Sequence, residues 1–451
     1  MMPAVHVAER LAAWALDFRA RPIPAEVLHH AKRVVIDACA AMLSGAGVAP
    51  ATLLERALAG ELDRGDARLA LGRRASLRAA ALINGTAAHT TEVDDIFRDG
   101  IFHPGAPTVP AALALAQATH APGERLLRAV IVGYEISTRI GTAMGRAHYR
   151  YWHNTGTVGS FGACAAGAEV LGLDAARFAH ALATVATFAA GLQQAFRMDS
   201  MSKPLHAGRA AEAGVTAALA AREGVTGSLD AIEGEAGFGR AMGDRSGEGP
   251  DWDGAFASLG QVFNVTRVTV KNHTCCGHTF AAIDGALALK AKMGIAAGEI
   301  ERVRVGTYRA ALEVAGYEEP RTPAEARFSL RYVVATALTH GDVRFAAFEP
   351  ARIEDPATRD LMRRIDLSVD PGLDAGFPGQ RAARIAISAR GGRTGEFLQP
   401  TRIGDPEAPL SDRQLEEKYM EFAGPVLGPE RARRLLERLW RLERETTLDL
   451  P

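Results

Sequence analysis

FGACAAGAEVLGL, residues 161–173, decides the fold. Gly162, Ala163, Cys164, Ala165, Ala166, Gly167 and Ala168 follow one another here, and Glu169 is the one charged residue of the stretch. A helix that is apolar all round is a buried helix, and small side chains let its neighbours come close. Such a helix, read over 158–173, belongs at the centre of an all-α domain.

Helical patterns extend outward from it in both directions. Upstream they cover 7–20, 26–43, 51–59, 75–91, 107–119 and 123–146. Downstream they cover 174–196 and 205–222. In 26–43, few polar positions follow Asp37, so this helix is expected to be mostly buried. After Gly224 the character changes. Residues 227–260 are rich in loop signals, with a short helix expected near Leu229. Val268-Thr269-Val270 alternates like a short strand, and 301–310, 366–370, 383–390 and 394–399 are predicted strands by period two and β-branched content. Helices are expected at 279–292, 323–339, 355–364, 411–422 and 428–445. The predicted fold class is mainly α: a large all-helical domain (1–265), an inserted smaller α+β domain (266–405), and C-terminal helices (406–451) returning to the first.

Composition excludes several classes of function. Lys and Arg number 52 against 53 Asp and Glu, so the chain lacks the basic excess of a nucleic-acid binder. It contains no run of eighteen apolar residues, and its N-terminus lacks the pattern of a signal peptide. The four cysteines, Cys39, Cys164, Cys275 and Cys276, have no disulfide-framework spacing, which suits a reducing, cytoplasmic setting. No phosphate-cradling glycine loop, dinucleotide fingerprint or elbow serine occurs, which disfavours nucleotide, flavin and serine-hydrolase chemistry.

Candidate chemistry lies in four places. GTAAHTTEVDDIFRDGIFHPGAPTVP (85–110) gathers Glu92, Asp94, Asp95, Asp99 and His103 between Ala-rich helices, as the wall of a polar pocket would. The plain alternative is an acidic helix end and a solvated loop. Tyr149 and His153 stand at another helix end, suited to acid–base work or to orienting a carboxylate, or else simply capping a helical core. Lys203 stands in a polar connector before Pro204, where desolvation would let it exchange a proton; the alternative is a surface lysine. His273-Thr274-Cys275-Cys276-Gly277-His278 packs four ligands into six residues, too close to surround one ion, so a substrate loop is favoured over a metal site. Arg197, Lys203, Arg209 and Lys271 are the cations that could face carboxylates.

Taken together, these stretches resemble one family. NGTAAHTTEVDD (84–95), HPGAPTVPAALALA (103–116), HYRYWHNTGTVGSFGACAAGAEVLGLD (148–174), MSKPLHAGRAAEAGV (201–215), KNHTCCGHTFAAIDGAL (271–287) and YEEPRTPAEARFSLRYVVATAL (317–338) are similar, in order, to the MmgE/PrpD family. That family includes 2-methylcitrate dehydratase, cis-aconitate decarboxylase and iminodisuccinate epimerase. The resemblance implies a helical domain with an α+β lid and an active site between them. It also implies a homodimer, a small di- or tricarboxylate substrate, and no cofactor or metal. By position it maps the acidic motif onto Glu92, Asp94 and Asp95, and the following histidine onto His103. The helix-end pair maps onto Tyr149 and His153, and the lysine onto Lys203. The lid residues map onto Cys275, Cys276 and Tyr317. Departures from the family pattern are Glu92-Val93 for Asp-Phe, Ile96 for threonine, Asn154 for proline, and Asn272-His273-Thr274 for Pro-aromatic-Pro.

The family's reactions share a carbanion made or quenched beside a carboxylate, which needs a base near the carbon and positive charge where negative charge grows. On that basis Lys203 and Tyr149 are the expected proton-transfer pair, His103 and His153 the further donors, and Asp94 their orienter. Glu92, Asp95, Arg209, Lys271, Cys275, Cys276, His278 and Tyr317 are the expected substrate contacts. The expected activity is that of a hydro-lyase. The alternatives are an epimerase of an iminodisuccinate-like substrate, a cis-aconitate-type decarboxylase, and a polycarboxylate-binding protein without turnover.

Overall fold

The structure is a computed structural model that describes residues 5–196, 200–243 and 249–448. Arg197 lies outside the described residues. The chain divides into two compact units: Met1–Val268 with Ser411–Pro451, and Thr269–Leu410. It is mainly α, with small sheets.

In the first unit the helix built on the quoted stretch runs Asn154–Val170, and every one of its residues is buried. It packs between the Gly123–Tyr149 and Ser202–Arg222 helices, and the latter packs on Leu77–Thr90. The small residues are required. A Cβ on Gly162 would meet Thr108 Oγ1 at 2.7 Å and Ser137 Oγ at 2.9 Å. Leu77–Thr90 and Ser202–Arg222 cross glycine on glycine: a Cβ on Gly85 would lie 2.9 Å from the Gly208 Cα. Glu169, the charge inside the quoted stretch, is buried and paired with Arg19 at 2.9 Å.

Several boundaries differ from the sequence reading. The central helix starts at Asn154, four residues early, because His153 caps it and its carbonyl accepts from Gly156 and Thr157. The expected 174–196 helix stops at Ala186, and Gly191, at φ +130°, lies in the break that follows. Lys203 stands in the first turn of Ser202–Arg222, not in a connector. Pro204 is tolerated there because a first-turn N–H has no helical partner. Leu229 lies in a turn, and the short helices of that region are Phe238–Met242 and Trp252–Phe256. A two-stranded hairpin, Leu62–Arg68 with Arg74–Ala75, was not expected.

The second unit is built on a four-stranded sheet in the order Ile365–Val369, Ile300–Thr307, Ala383–Ala389, Arg393–Gln399. The first pair is parallel and the others antiparallel. Helices Phe280–Met293 and Leu330–His340 pack on it and on each other. Val268-Thr269-Val270 is not a strand. Its backbone bond is Val270 N–H to Gly404 O, 3.0 Å, too little for a ladder. The expected 323–339 helix is two helices, divided at Ser329, whose side chain caps the second.

No single helix among the described residues is long and apolar enough to cross a membrane. Ala25–Ala46 and Ala51–Ala57 pass together by length and composition, but they are bent by 69°.

Candidate active site

The acidic stretch is not a solvated loop. Glu92, Asp94 and Asp95 are 6, 1 and 2% exposed. The chain leaves the Leu77–Thr90 helix with Glu92 at φ +59°, a left-handed conformation uncommon outside glycine. It then folds into a tight return in which Phe97 and Phe102 exchange backbone hydrogen bonds.

Each acid in this turn meets a different group. Glu92 forms an ion pair with Lys203. Asp94 Oδ2 accepts from His89 Nδ1 at 2.7 Å and lies 3.3 Å from His103 Nδ1. Asp95 accepts from the Tyr134 hydroxyl at 2.7 Å and from the Gly105 N–H at 2.9 Å. Burial, reinforced by the charge of Asp37, pushes the Asp95 carboxyl up to about 7, although its two hydrogen bonds pull the other way. Asp95 therefore ties the start of the Gly105–Ala118 helix to the Gly123–Tyr149 helix behind the loop. Beneath the loop, Lys418 from the Asp412–Leu427 helix pairs with Asp37 at 2.6 Å and donates to the Val93 carbonyl at 2.7 Å.

The histidines form a row. His103 Nδ1 donates to the Asp95 carbonyl at 2.8 Å, which puts its proton on Nδ1 and turns Nε2 to other work. The His89 ring lies 4.8 Å from that of His103 and 5.3 Å from that of His153. His153 and His206 face each other Nδ1 to Nδ1 at 3.0 Å. Burial, with His89 and His206 beside it, holds the His153 imidazole well below the usual histidine range, so it is neutral. Burial and the Lys203 charge lower His206 as well. Phe196 presents its ring to both kinds of group: the His153 ring meets it edge-on at 4.8 Å, and the Lys203 ammonium stands 5.6 Å from its centroid.

His89, Asp94 and His103 each offer a ligand atom, all within 4.8 Å of one another. Both Nδ1 atoms face Asp94: that of His89 is hydrogen-bonded to it, and that of His103, which donates to the Asp95 carbonyl, stands 3.3 Å away.

The remaining expected residues lie on other segments of the chain. Tyr149 ends its helix half-buried, just past a break at Gly145 (φ +62°). Asn154 uses its amide to hold the Gly100 carbonyl at 2.8 Å, linking the central helix to the acidic turn. Arg209 is exposed and paired with Glu212 at 2.8 Å. Six residues past Lys203, it is turned about 120° from it around the helix axis.

In the second unit, Lys271, Cys275, Cys276 and His278 share one buried loop. The loop is held at the Asn272 carbonyl by Arg344 and at the Gly277 carbonyl by Arg402. His273 bonds Asp284 at 2.8 Å and His278 bonds the Tyr308 hydroxyl at 2.9 Å, so the two imidazoles serve different partners. Burial pushes the Cys275 thiol up to about 12, which keeps it protonated. Tyr317 is half-buried on another segment, where its carbonyl accepts from Ser329 at 2.6 Å.

Concavity alone points away from this chemistry. A surface hollow of about 500 Å³ in the second unit is lined by groups such as Arg331 and Arg359, already paired with Glu318 and Glu354. Pairs of this kind leave little for a ligand, whereas the histidine row joins neutral imidazoles to a lysine.

Sequence reasoning missed His89, Phe196, His206, Tyr134, Asp37 and Lys418 as members of this network. One signal was available: His206 follows Lys203 by three, so on a helix both occupy one face.

The model of the MmgE/PrpD N-terminal domain matches residues 9–249, and that of the MmgE/PrpD C-terminal domain matches residues 273–443. The chain belongs to the MmgE/PrpD family. It is 27% identical to a cis-aconitate decarboxylase-like protein of Aspergillus oryzae, over 98% of this chain and 95% of that one. It is 28% identical to the cis-aconitate decarboxylase of Homo sapiens, over 81% of this chain and 76% of that one. A 2-methylcitrate dehydratase of Salmonella typhimurium is 29% identical over 28% of each chain.

Proposed function

We propose that this protein is a lyase that makes or quenches a carbanion beside a carboxylate of a small di- or tricarboxylate. The observation that carries this reading is the pair of groups on the Phe196 ring: a neutral imidazole, His153, and an ammonium, Lys203, held against Glu92. A neutral imidazole takes a proton or, in its other tautomer, gives one. The ammonium stabilises negative charge growing next to it and is itself a proton source. His103, with Nδ1 bound to the Asp95 carbonyl, supplies a second proton-exchanging Nε2, and Asp94 orients it. Tyr149 and the loop residues Lys271, Cys275, Cys276 and His278, with Tyr317, are proposed as further substrate contacts. Arg209, paired at the surface, has less support.

Within this class, loss of CO2 from a cis-aconitate-like substrate is the first reaction to test, because the relatives that align over most of the chain bear that name. Dehydration of a 2-methylcitrate-like substrate comes second, since that alignment is short. The homodimer of the family is likewise proposed for this chain.

Proton NMR in D2O with chelator-treated protein tests the reading. cis-Aconitate, 2-methylcitrate, citrate and iminodisuccinate are supplied separately. A changed set of vinyl signals establishes a lyase and names the substrate. Loss of an α-proton signal with no new compound means an epimerase instead. Thermal stabilisation by one of these acids without turnover means a binding protein. Lys203→Ala is expected to lower turnover by at least about a hundredfold at temperatures where the variant is folded, with a lower melting temperature because Glu92 loses its buried partner, and wild-type turnover in that variant removes Lys203 from the chemistry.

A further inference from the structure

His206 has no place in the proposed chemistry, yet its contact with His153 is specific. The two Nδ1 atoms are 3.0 Å apart, a hydrogen bond between identical atoms. Such a contact exists only if one nitrogen carries a proton and the other does not. The backbone shapes the site for it. Gly156 and Gly191 flank the His206 ring, and a Cβ on either would come within 3.1 to 3.2 Å of its Cβ or Nδ1. The Gly191 carbonyl also accepts the His153 N–H at 2.9 Å, so the segment that makes room for His206 also fixes the backbone of His153. His206 stands one helical turn past Lys203 on the same face. The groups around the imidazole pair are His89 on the far side of His153, Phe196 at its edge, and Lys203 next to His206.

We propose that His206 is the positioning residue that sets the tautomer of His153, by accepting the His153 Nδ1–H on its own Nδ1. With Nδ1 so engaged, a neutral His153 carries a lone pair on Nε2, and proton exchange with a substrate takes place there alone. The reverse arrangement, with His206 donating, would leave a proton on His153 Nε2 and no base. The choice between the two rests on the reading of His153 as the proton acceptor. The contact itself does not. One proton crosses no bond in the resting state: His206 keeps its own proton on Nε2, and both rings stay neutral.

Ring-nitrogen NMR of protein labelled with 15N-histidine tests this directly and needs no turnover. The His153 signals, assigned by their loss in His153→Gln, are expected to show a protonated Nδ1 and a bare Nε2. In His206→Ala the fixed tautomer is lost and the Nε2–H form grows. His206→Asn restores the wild-type pattern, since the Asn carbonyl oxygen accepts where Nδ1 did. On whichever substrate the lyase assay identifies, His206→Ala is expected to lower kcat by roughly ten- to a hundredfold, with a smaller change in KM, and Asn to recover most of it. A wild-type spectrum with the proton on His153 Nε2 overturns the proposal, as does an alanine variant with an unchanged spectrum. Absence of turnover in the wild type removes the lyase reading but leaves the spectrum to decide the tautomer.

Discussion

Asp95 gives the acidic turn a pH dependence of its own. An aspartate in an unfolded chain ionises at about 4, whereas burial and the charge of Asp37 push the folded Asp95 carboxyl up to about 7. Between those values the folded chain holds a proton that the unfolded chain has released. The contribution of Asp95 is therefore fully present at low pH, declines as pH rises from about 4 to about 7, and is level above that. Asp95→Asn removes the titration. The stability margin of the wild type over the variant should shrink across that window, as measured by thermal melts at several pH values; a margin that widens with pH would reverse the sign of the argument. At this scale the sequence was only partly legible. It offered the acids and His103 as a cluster, but not which group each acid meets. The His89–Asp94 bond needs the chain to turn through Glu92 at φ +59°, and no residue spacing announces that turn.

The meeting of these side chains depends on how closely two helices approach. Leu77–Thr90 carries His89 one turn beyond Gly85, and Ser202–Arg222 carries His206 and Lys203 just before Gly208. At the crossing a Cβ on Gly208 would collide with the Leu82 carbonyl and the Thr86 hydroxyl. Gly208→Ala should cost about 1–3 kcal/mol, read by denaturant unfolding, because helix backbones must separate to admit the methyl group. Gly47→Ala, where nothing lies within 4 Å, is the matched control and should be close to neutral. Equal stability of the two variants would show that the crossing is loose. The helices were the readily legible elements, because apolar periodicity over ten or more residues is a strong signal. Two features escaped it. The hairpin strand Leu62–Arg68, LDRGDAR, is mostly polar and exposed, so it lacks the period-two pattern of a half-buried strand. Lys203 looked like a connector because proline usually breaks a helix, whereas Pro204 sits in the first turn, where it does not.

At the scale of the whole chain, the helical unit is interrupted by Thr269–Leu410 and completed by Ser411–Pro451. The returning segment does more than cover apolar surface. Its Lys418 is buried against Asp37 and carries the Val93 carbonyl, in the middle of the acidic turn. Lys418→Met leaves Asp37 as a buried charge without its ammonium and should cost about 3–5 kcal/mol, whereas Asp37→Asn with Lys418→Met should recover most of that loss. Additive losses in the double variant would mean that the two residues act separately. The mainly helical class was legible from composition and period. This contact was not, since nothing in either helix alone indicates a partner more than three hundred residues away.

That distance also has a meaning in time. The Val93 carbonyl and the Lys418 ammonium are 325 residues apart. A ribosome adding about 5–20 residues per second reaches Lys418 roughly 15 to 65 s after Val93. During that interval the nascent chain holds Asp37 and the acidic turn while the cation that belongs under them is still unwritten. The turn thus reaches its finished form only when the last helices have emerged, and a chain stopped short of them carries its candidate catalytic residues without the support beneath them.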